Sequence, residues 1–236
     1  MATIPFTGWK RISNASSVTD NLTPNLLVQA YARGLFPMAE SRESREIYWV
    51  DPEERGVIPL NGFHVSRRLR RFLRQDPFEV TVDRDFAGVI QACGRIDYQR
   101  GRFDTWINDE IIRAYVEMHR LGLAHSVECW LKDKLCGGIY GVALKGVFFG
   151  ESMFSAETGG SKVALSHLVA LLKAAGYRLF DSQFVNDHLK QFGVLAVPKA
   201  EFKPMLAEAL SVDCTFPKQS DVMNGADVIN WIDATT

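Results

Sequence analysis

Net charge is what this chain has least of. Its 27 Lys and Arg stand against 28 Asp and Glu in 236 residues, a formal charge of −1. Overall charge therefore argues neither for nor against a nucleic-acid partner, and local clustering has to decide. Long apolar runs are missing too. None approaches the length of a bilayer span, so no membrane partner is expected. Met1 to Phe6 carry neither a basic nor an apolar stretch, and no secretory leader is expected there. Cysteine is sparse: Cys93, Cys129, Cys136 and Cys214 show no C-x-x-C spacing and lie in apolar surroundings. They read as buried thiols of a cytoplasmic protein. The five histidines are dispersed without ligand spacing, so no metal is expected. Repeats and low-complexity segments are absent. A hydrophobic share of 47% with 23% charged residues excludes disordered and fibrous classes.

What is there has helical and strand periods in a definite order. Thr23-Pro24 opens a helix with the apolar stripe Leu26, Leu27, Ala30 and Tyr31, closed by Gly34. An irregular segment runs to Pro59-Leu60-Asn61-Gly62. A small N-terminal domain over 1–60 is expected, followed by a larger domain over 61–236 whose last twenty or so residues form a loose tail. From Ser66 the pattern is helical, with Val65, Leu69, Phe72 and Leu73 on one side. Arg67, Arg70, Arg71 and Arg74 fall opposite, with Arg68 flanking. Phe78 to Val82 alternates as a strand. Asp83 is the expected cap of a helix through Cys93, and Asn108 that of a helix ending at Gly122. Strand patterns at 124–131, 135–143 and 147–154 read as a meander. A helix at about 160–175, a strand at 177–185, a short helix stopped by Gly193 and a helix over 201–210 complete the chain. This order predicts an α+β fold with a mixed sheet, and a ligand cleft where the sheet parts near 150 and 181.

Three polar residues interrupt otherwise apolar strand patterns: Glu151 in Gly150-Glu151-Ser152-Met153-Phe154-Ser155, and Asp181 and Gln183 in Phe180-Asp181-Ser182-Gln183. Burying such groups is costly unless something pairs with them. Residues two apart on a strand share a face, so Asp181 is expected beside Gln183 and Glu151 beside Met153. Taken alone, the residues also fit a satisfied polar pair inside a sheet. Trp106, alone, fits a core position as well as a binding surface. The arginine helix carries almost no acid between 64 and 75, which favours a phosphate backbone over a solvated charged face.

Several pieces together are more specific. Ala30-Tyr31-Ala32-Arg33-Gly34-Leu35-Phe36-Pro37, Thr105-Trp106-Ile107, Ala124-His125-Ser126-Val127-Glu128, Gly137-Gly138-Ile139-Tyr140-Gly141, the Gly150–Ser155 stretch, Ser161-Lys162, and Asp181-Ser182-Gln183 with Asn186-Asp187-His188 occur in this order. From about Asn21 to Leu210 the chain resembles the leucyl/phenylalanyl-tRNA–protein transferases. The resemblance implies an acetyltransferase-like (GNAT-type) catalytic domain with a small N-terminal domain, no cofactor, and a monomer. It implies transfer of Leu or Phe from Leu-tRNA or Phe-tRNA to acceptor proteins with a basic N-terminal residue, Arg or Lys, marking them for N-degron degradation. Asp181, Gln183 and Glu151 resemble the catalytic residues, with the carboxylate beside Gln183 polarising its amide. Trp106 resembles the aromatic that stacks on the terminal adenosine of tRNA, joined by Met38 and Trp49. Ile139, Met153, Leu165, Leu168 and Leu172 match the aminoacyl side-chain pocket. Arg67, Arg68, Arg70, Arg71 and Arg74 would hold the tRNA backbone.

Two departures stand out. Met38 follows Phe36-Pro37 where the family commonly has Trp, and Trp49-Val50-Asp51-Pro52 stands for Trp-Trp-Ser-Pro. An acidic Asp51 near the cleft would alter acceptor choice. An acetyl-CoA-dependent GNAT-type N-acetyltransferase is the competing enzyme reading, and Gly159-Gly160-Ser161-Lys162 lacks the glycine pattern that cradles coenzyme A pyrophosphate. A tRNA-binding module without catalysis is the reading from another class.

Overall fold

The computed structural model describes residues 22–96 and 103–234. Helix α1 (Pro24–Ala32) is followed by strands β1 (Phe36–Ala39) and β2 (Ile47–Val50), which pair with each other alone. Then come β3 (Glu54–Ile58), α2 (Arg67–Leu73), β4 (Glu79–Val82), α3 (Phe86–Cys93) and α4 (Asp109–Arg120). The meander β5 (Ala124–Leu131), β6 (Lys134–Leu144) and β7 (Val147–Ser155) precedes α5 (Gly160–Ala174) and β8 (Leu179–Gln183). The chain closes with α6 (Asp187–Lys190), β9 (Leu195–Pro198), α7 (Lys199–Leu210) and α8 (Gly225–Asp233). Seven strands form one sheet in the order β4-β5-β6-β7-β8-β3-β9. Every pairing is antiparallel except β7 with β8. The expected α+β class with a mixed sheet is therefore observed.

Strand period 2 divides the interior into two cores. Ile139, Phe148 and Phe180 face α2, α5 and α8. Their neighbours Tyr140, Phe149 and Leu179 face α1, α3, α4 and α7. Helix α5 is apolar nearly all round and accordingly buried nearly all round. Its first turn approaches β6 so closely that a Cβ on Gly137 would lie 2.6 Å from the Gly160 backbone. Cys93, Cys129 and Cys136 are buried free thiols, and Cys214 is half-buried.

Three expectations are corrected. The supposed tail holds α8, capped by the Asn224 side chain and packed on α5 through Val228, Ile229 and Ile232. That i, i+1, i+4 stripe is an ordinary helical signal. Lys173 donates to the carbonyls of Ile232 and Ala234 at its far end, the usual place for a cation. The cap of α3 is Asp85, which accepts from the Gly88 amide at 2.9 Å, and not Asp83. Asp83 turns the chain at φ 58° and accepts from Ser126 N and bonds His125 Nδ1. Third, the irregular segment before residue 60 contains three strands, and β3 belongs to the large sheet.

His167 on α5 is 3% exposed, and its Nδ1 has no hydrogen-bond partner among the described residues. Burial pushes its pKa down to about 4. The unfolded chain then takes up the proton first. Stability is expected to fall as pH drops from ~6.5 towards ~4, by up to ~3 kcal/mol. Denaturant unfolding across that range checks this: the slope flattens in His167→Leu, and an unchanged slope refutes the assignment.

Candidate active site

Two β-bulges build the site. Along β6 and β7, Tyr140 pairs with Ser152 and Gly141 with Gly150, so Glu151 is the extra residue on β7. Along β3 and β8, Val57 pairs with Asp181 and Gly56 with Gln183, so Ser182 is extra on β8. Each bulge breaks the strand alternation. Hence Glu151 and Met153 do not share a face, contrary to the simple rule. Glu151 meets Tyr31 and Tyr115, in the α1 and α4 core, while Met153 lies in the α5 core. The second bulge brings the Phe184 carbonyl over Gly56, where any Cβ would lie 2.5 Å from it. Position 56 therefore requires glycine.

Asp181 is wholly buried, and Arg55, 1% exposed, is its partner. Arg55 Nη2 donates to Oδ2 at 2.7 Å, and Nε to both oxygens at 3.0 Å. Its Nη1 donates to the Gly34 carbonyl at 2.8 Å. The guanidinium lies 4.8 Å from the centroids of both Phe36 and Phe202, so its faces are covered while its edges are bonded. Asp181 Oδ1 also accepts the Gln183 backbone N–H at 2.8 Å. That bond holds Gln183 at φ 59°, a conformation rare for a residue with a side chain.

The Gln183 amide points elsewhere. Its Nε2 donates to Glu151 Oε1 at 3.0 Å. The carboxylate that orients the amide is therefore Glu151, while Asp181 fixes the backbone beneath it. Tyr31 Oη lies 2.7 Å from Glu151 Oε1 and Tyr115 Oη 3.1 Å from Oε2, and the two phenol oxygens also meet each other; their two O–H protons serve two of these three contacts, and the third needs a proton on Glu151. Burial raises the Glu151 pKa to about 7 against the opposing effect of the phenol hydrogen bonds. Burial likewise holds both tyrosines well above their ordinary range, so they remain donors.

The remaining expected residues are distributed around this cluster. Ile139 and Met153 oppose each other across β6 and β7, and with Leu165, Leu168 and Leu172 of α5 they are buried on the other side of the sheet. Met38 and Trp106 are half-buried against the α1 and α4 core; Trp49 is almost completely buried in it. Arg67, Arg68, Arg71 and Arg74 are exposed on or beside α2. Arg70 is withdrawn from that patch, because Asp233 of α8 takes its guanidinium bidentately at 2.6 and 2.7 Å. Asp51 is matched by Lys199 at 2.5 Å and Lys203 at 3.7 Å, so it brings no bare negative charge to the cleft. The motif 124–128 serves as scaffold: Glu128 accepts from Thr81 and Ser126, and His125 stacks on Phe216. Among the described residues no three His, Cys, Asp or Glu are grouped to hold a metal ion, and no helix is long and apolar enough to cross a membrane.

Residues 57–207 match the family model described as leucyl/phenylalanyl-tRNA protein transferase, and residues 20–53 match that of its N-terminal domain. The chain belongs to this family. Its relatives called leucyl/phenylalanyl-tRNA–protein transferase include one from Paramagnetospirillum magneticum, 51% identical over 85% of this chain and 95% of that protein. Another, from Caulobacter vibrioides, is 48% identical over 90% of this chain and 97% of that protein. A third, from Phenylobacterium zucineum, is 52% identical over 80% and 85% respectively. Family membership makes the chain an aminoacyltransferase enzyme. Glu151, Asp181 and Gln183 fall in the first match and Tyr31 in the second, while Arg55 stands in the short interval between them.

Sequence reading missed Arg55, Tyr31 and Tyr115 as site residues. Arg55 carried a faint signal: it is a lone cation on a strand whose next residues are Gly56, Val57 and Ile58. Removing one partner of a buried ion pair leaves the other charge stranded, at ~3–5 kcal/mol. Arg55→Met is expected to lower unfolding free energy by that order, and Arg55→Met with Asp181→Asn by less than the sum of the two single changes. Additive losses in denaturant melts would rule out the coupling.

Proposed function

We propose that this chain transfers Leu or Phe from aminoacyl-tRNA to the α-amine of proteins bearing an N-terminal Arg or Lys, in the cytoplasm, as a monomer. The observation that carries the reading is the convergence of Glu151, Gln183 and Asp181 on two bulged strands in a chain of this family. The acceptor nitrogen attacks the ester carbonyl carbon, a C–N bond forms, the C–O bond to the tRNA ribose breaks, and the ribose oxygen leaves as a hydroxyl with the proton that the attacking amine sheds. The ester is already activated, so orientation and proton handling are what the protein supplies. With Nε2 given to Glu151, Gln183 Oε1 is the amide atom left to accept from the incoming amine. Glu151, at about pH 7 balanced between its two states, takes up the proton that the ammonium must lose. Asp181 acts through Gln183, by fixing its backbone.

The same reading gives the α5 side of the sheet to the aminoacyl side chain, at Ile139, Met153, Leu165, Leu168 and Leu172. Trp106, with Met38 at the β1 edge, receives the terminal adenosine, and Arg67, Arg68, Arg71 and Arg74 receive phosphates. It assigns a GNAT-like arrangement to the sheet, supported by the parting of β7 from β8 after Phe149 and Asp181. It also keeps a small N-terminal unit, ending before β3, which pairs within the large sheet.

Labelled leucine presented as Leu-tRNA to peptides beginning with Arg, Asp or Met tests the reaction. Label is expected on the Arg peptide alone, and Gln183→Ala should cut it at least about a hundredfold, the scale on which a positioned polar group acts. Label on none refutes transfer; label on Asp overturns the basic-acceptor assignment. Neutralising Arg67, Arg71 and Arg74 is expected to weaken tRNA binding and lower the salt slope by about one unit per lost phosphate contact. An unaltered slope would place the docking surface elsewhere.

A further inference from the structure

Strand β7 pairs with β6 along its length, skipping only the bulged Glu151, but with β8 only at Val147, Phe148 and Phe149. Beyond Asp181, β8 leaves it. The bulge at Ser182 and the turn at Gln183 carry β8 towards β3, with which it pairs through to Gln183. From Gly150 to Phe154, β7 thus has no strand partner on its β8 side among the described residues. An interior strand of a seven-stranded sheet ordinarily has both edges satisfied. Here Gly150, Ser152 and Phe154 are only half-buried. The opposite wall is equally open, with Phe184 half-exposed and Val185 36% exposed. The open edge begins at the residue whose carboxylate binds Gln183 and the two phenols.

We propose that this edge of β7 receives the main chain of the acceptor protein's first few residues, laid in as an added strand beside Glu151–Phe154. The inference rests on the transfer reaction proposed above and adds how the acceptor is gripped. An amine held only by its first side chain can swing; a chain paired along several peptide groups delivers it in one direction to Glu151 and Gln183. Main-chain hydrogen bonds supply affinity that is indifferent to the side chains that follow, which suits an enzyme acting on many proteins by their first residue. The occupant must be extended and free of fold, because a helix or hairpin cannot enter a gap between strands. Acceptors should therefore need a short unstructured N-terminus.

The test replaces one peptide N–H by an ester oxygen in an acceptor peptide beginning with Arg. Placed at the second and the third residue in turn, the ester is expected to lower kcat/KM about tenfold at whichever of the two turns its N–H to β7, the worth of one hydrogen bond, mostly through KM, and to have little effect at the other. The same ester at the eighth residue should leave kcat/KM unchanged. Deuterium exchange at residues 150–155 should slow when the all-amide peptide is added. Equal kcat/KM for all esters, or unchanged exchange, overturns the added strand. No transfer to the all-amide peptide overturns the proposed reaction instead, and the strand falls with it.

Discussion

The ion pair between Arg55 and Asp181 is the contact on which the rest of the site depends. Two charges are taken fully out of water, a cost of several kcal/mol for each, and apolar residues of the same volume would often serve stability as well. What apolar residues could not do is join five segments at one point. Arg55 comes from β3 and Asp181 from β8; Gly34 supplies a carbonyl from the end of α1, and Phe36 and Phe202 supply faces from β1 and α7. Each of the three guanidinium nitrogens donates a hydrogen bond and both faces are covered, so its position is over-determined. That rigidity passes to Gln183 through a single backbone hydrogen bond to Asp181.

Strain and support are matched there. A side-chain-bearing residue at φ 59° costs about 1–3 kcal/mol and persists only where its surroundings hold it. Asp181 Oδ1 provides that hold, and Gly56 gives the space the bulged chain needs. The β7 bulge does the complementary work. It separates Glu151 from Met153, putting a titrating carboxylate on one side of the sheet and an apolar surface on the other, two residues apart.

The elements from α2 to α7 other than β9, the meander and the three polar residues that gather at the candidate site were legible in the sequence, because period, turn residues and misplaced polarity are local signals. The geometry around Glu151 was not. Alternation puts it beside Met153, and nothing short of the pairing register reveals that Glu151 is the bulged residue. Arg55 escaped for the opposite reason. Its meaning lies in a contact 126 positions along the chain, and no local pattern encodes that. The arginine helix was read correctly as a helix and as cationic. Arg70 was misjudged because α8, whose Asp233 claims it, was read as a tail.

Two carboxylates lie in one site with opposite surroundings, and this divides their work. Asp181 faces a guanidinium and a backbone N–H, partners that fix its place. Glu151 faces two phenols and an amide, neutral donors that soften but do not cancel its burial, and the nearby Asp181 charge pushes the same way as burial. Its pKa of about 7 leaves both of its states populated near neutrality. A group that must hold geometry needs a permanent partner, and a group that must exchange a proton needs two accessible states. Exchanging the partners would undo the geometry, because a carboxylate held only by phenols would not keep Gln183 at a strained φ. The Arg55 clamp thus fixes Asp181 and the Gln183 backbone, while Glu151, bonded by neutral groups, has its pKa raised by burial to about 7.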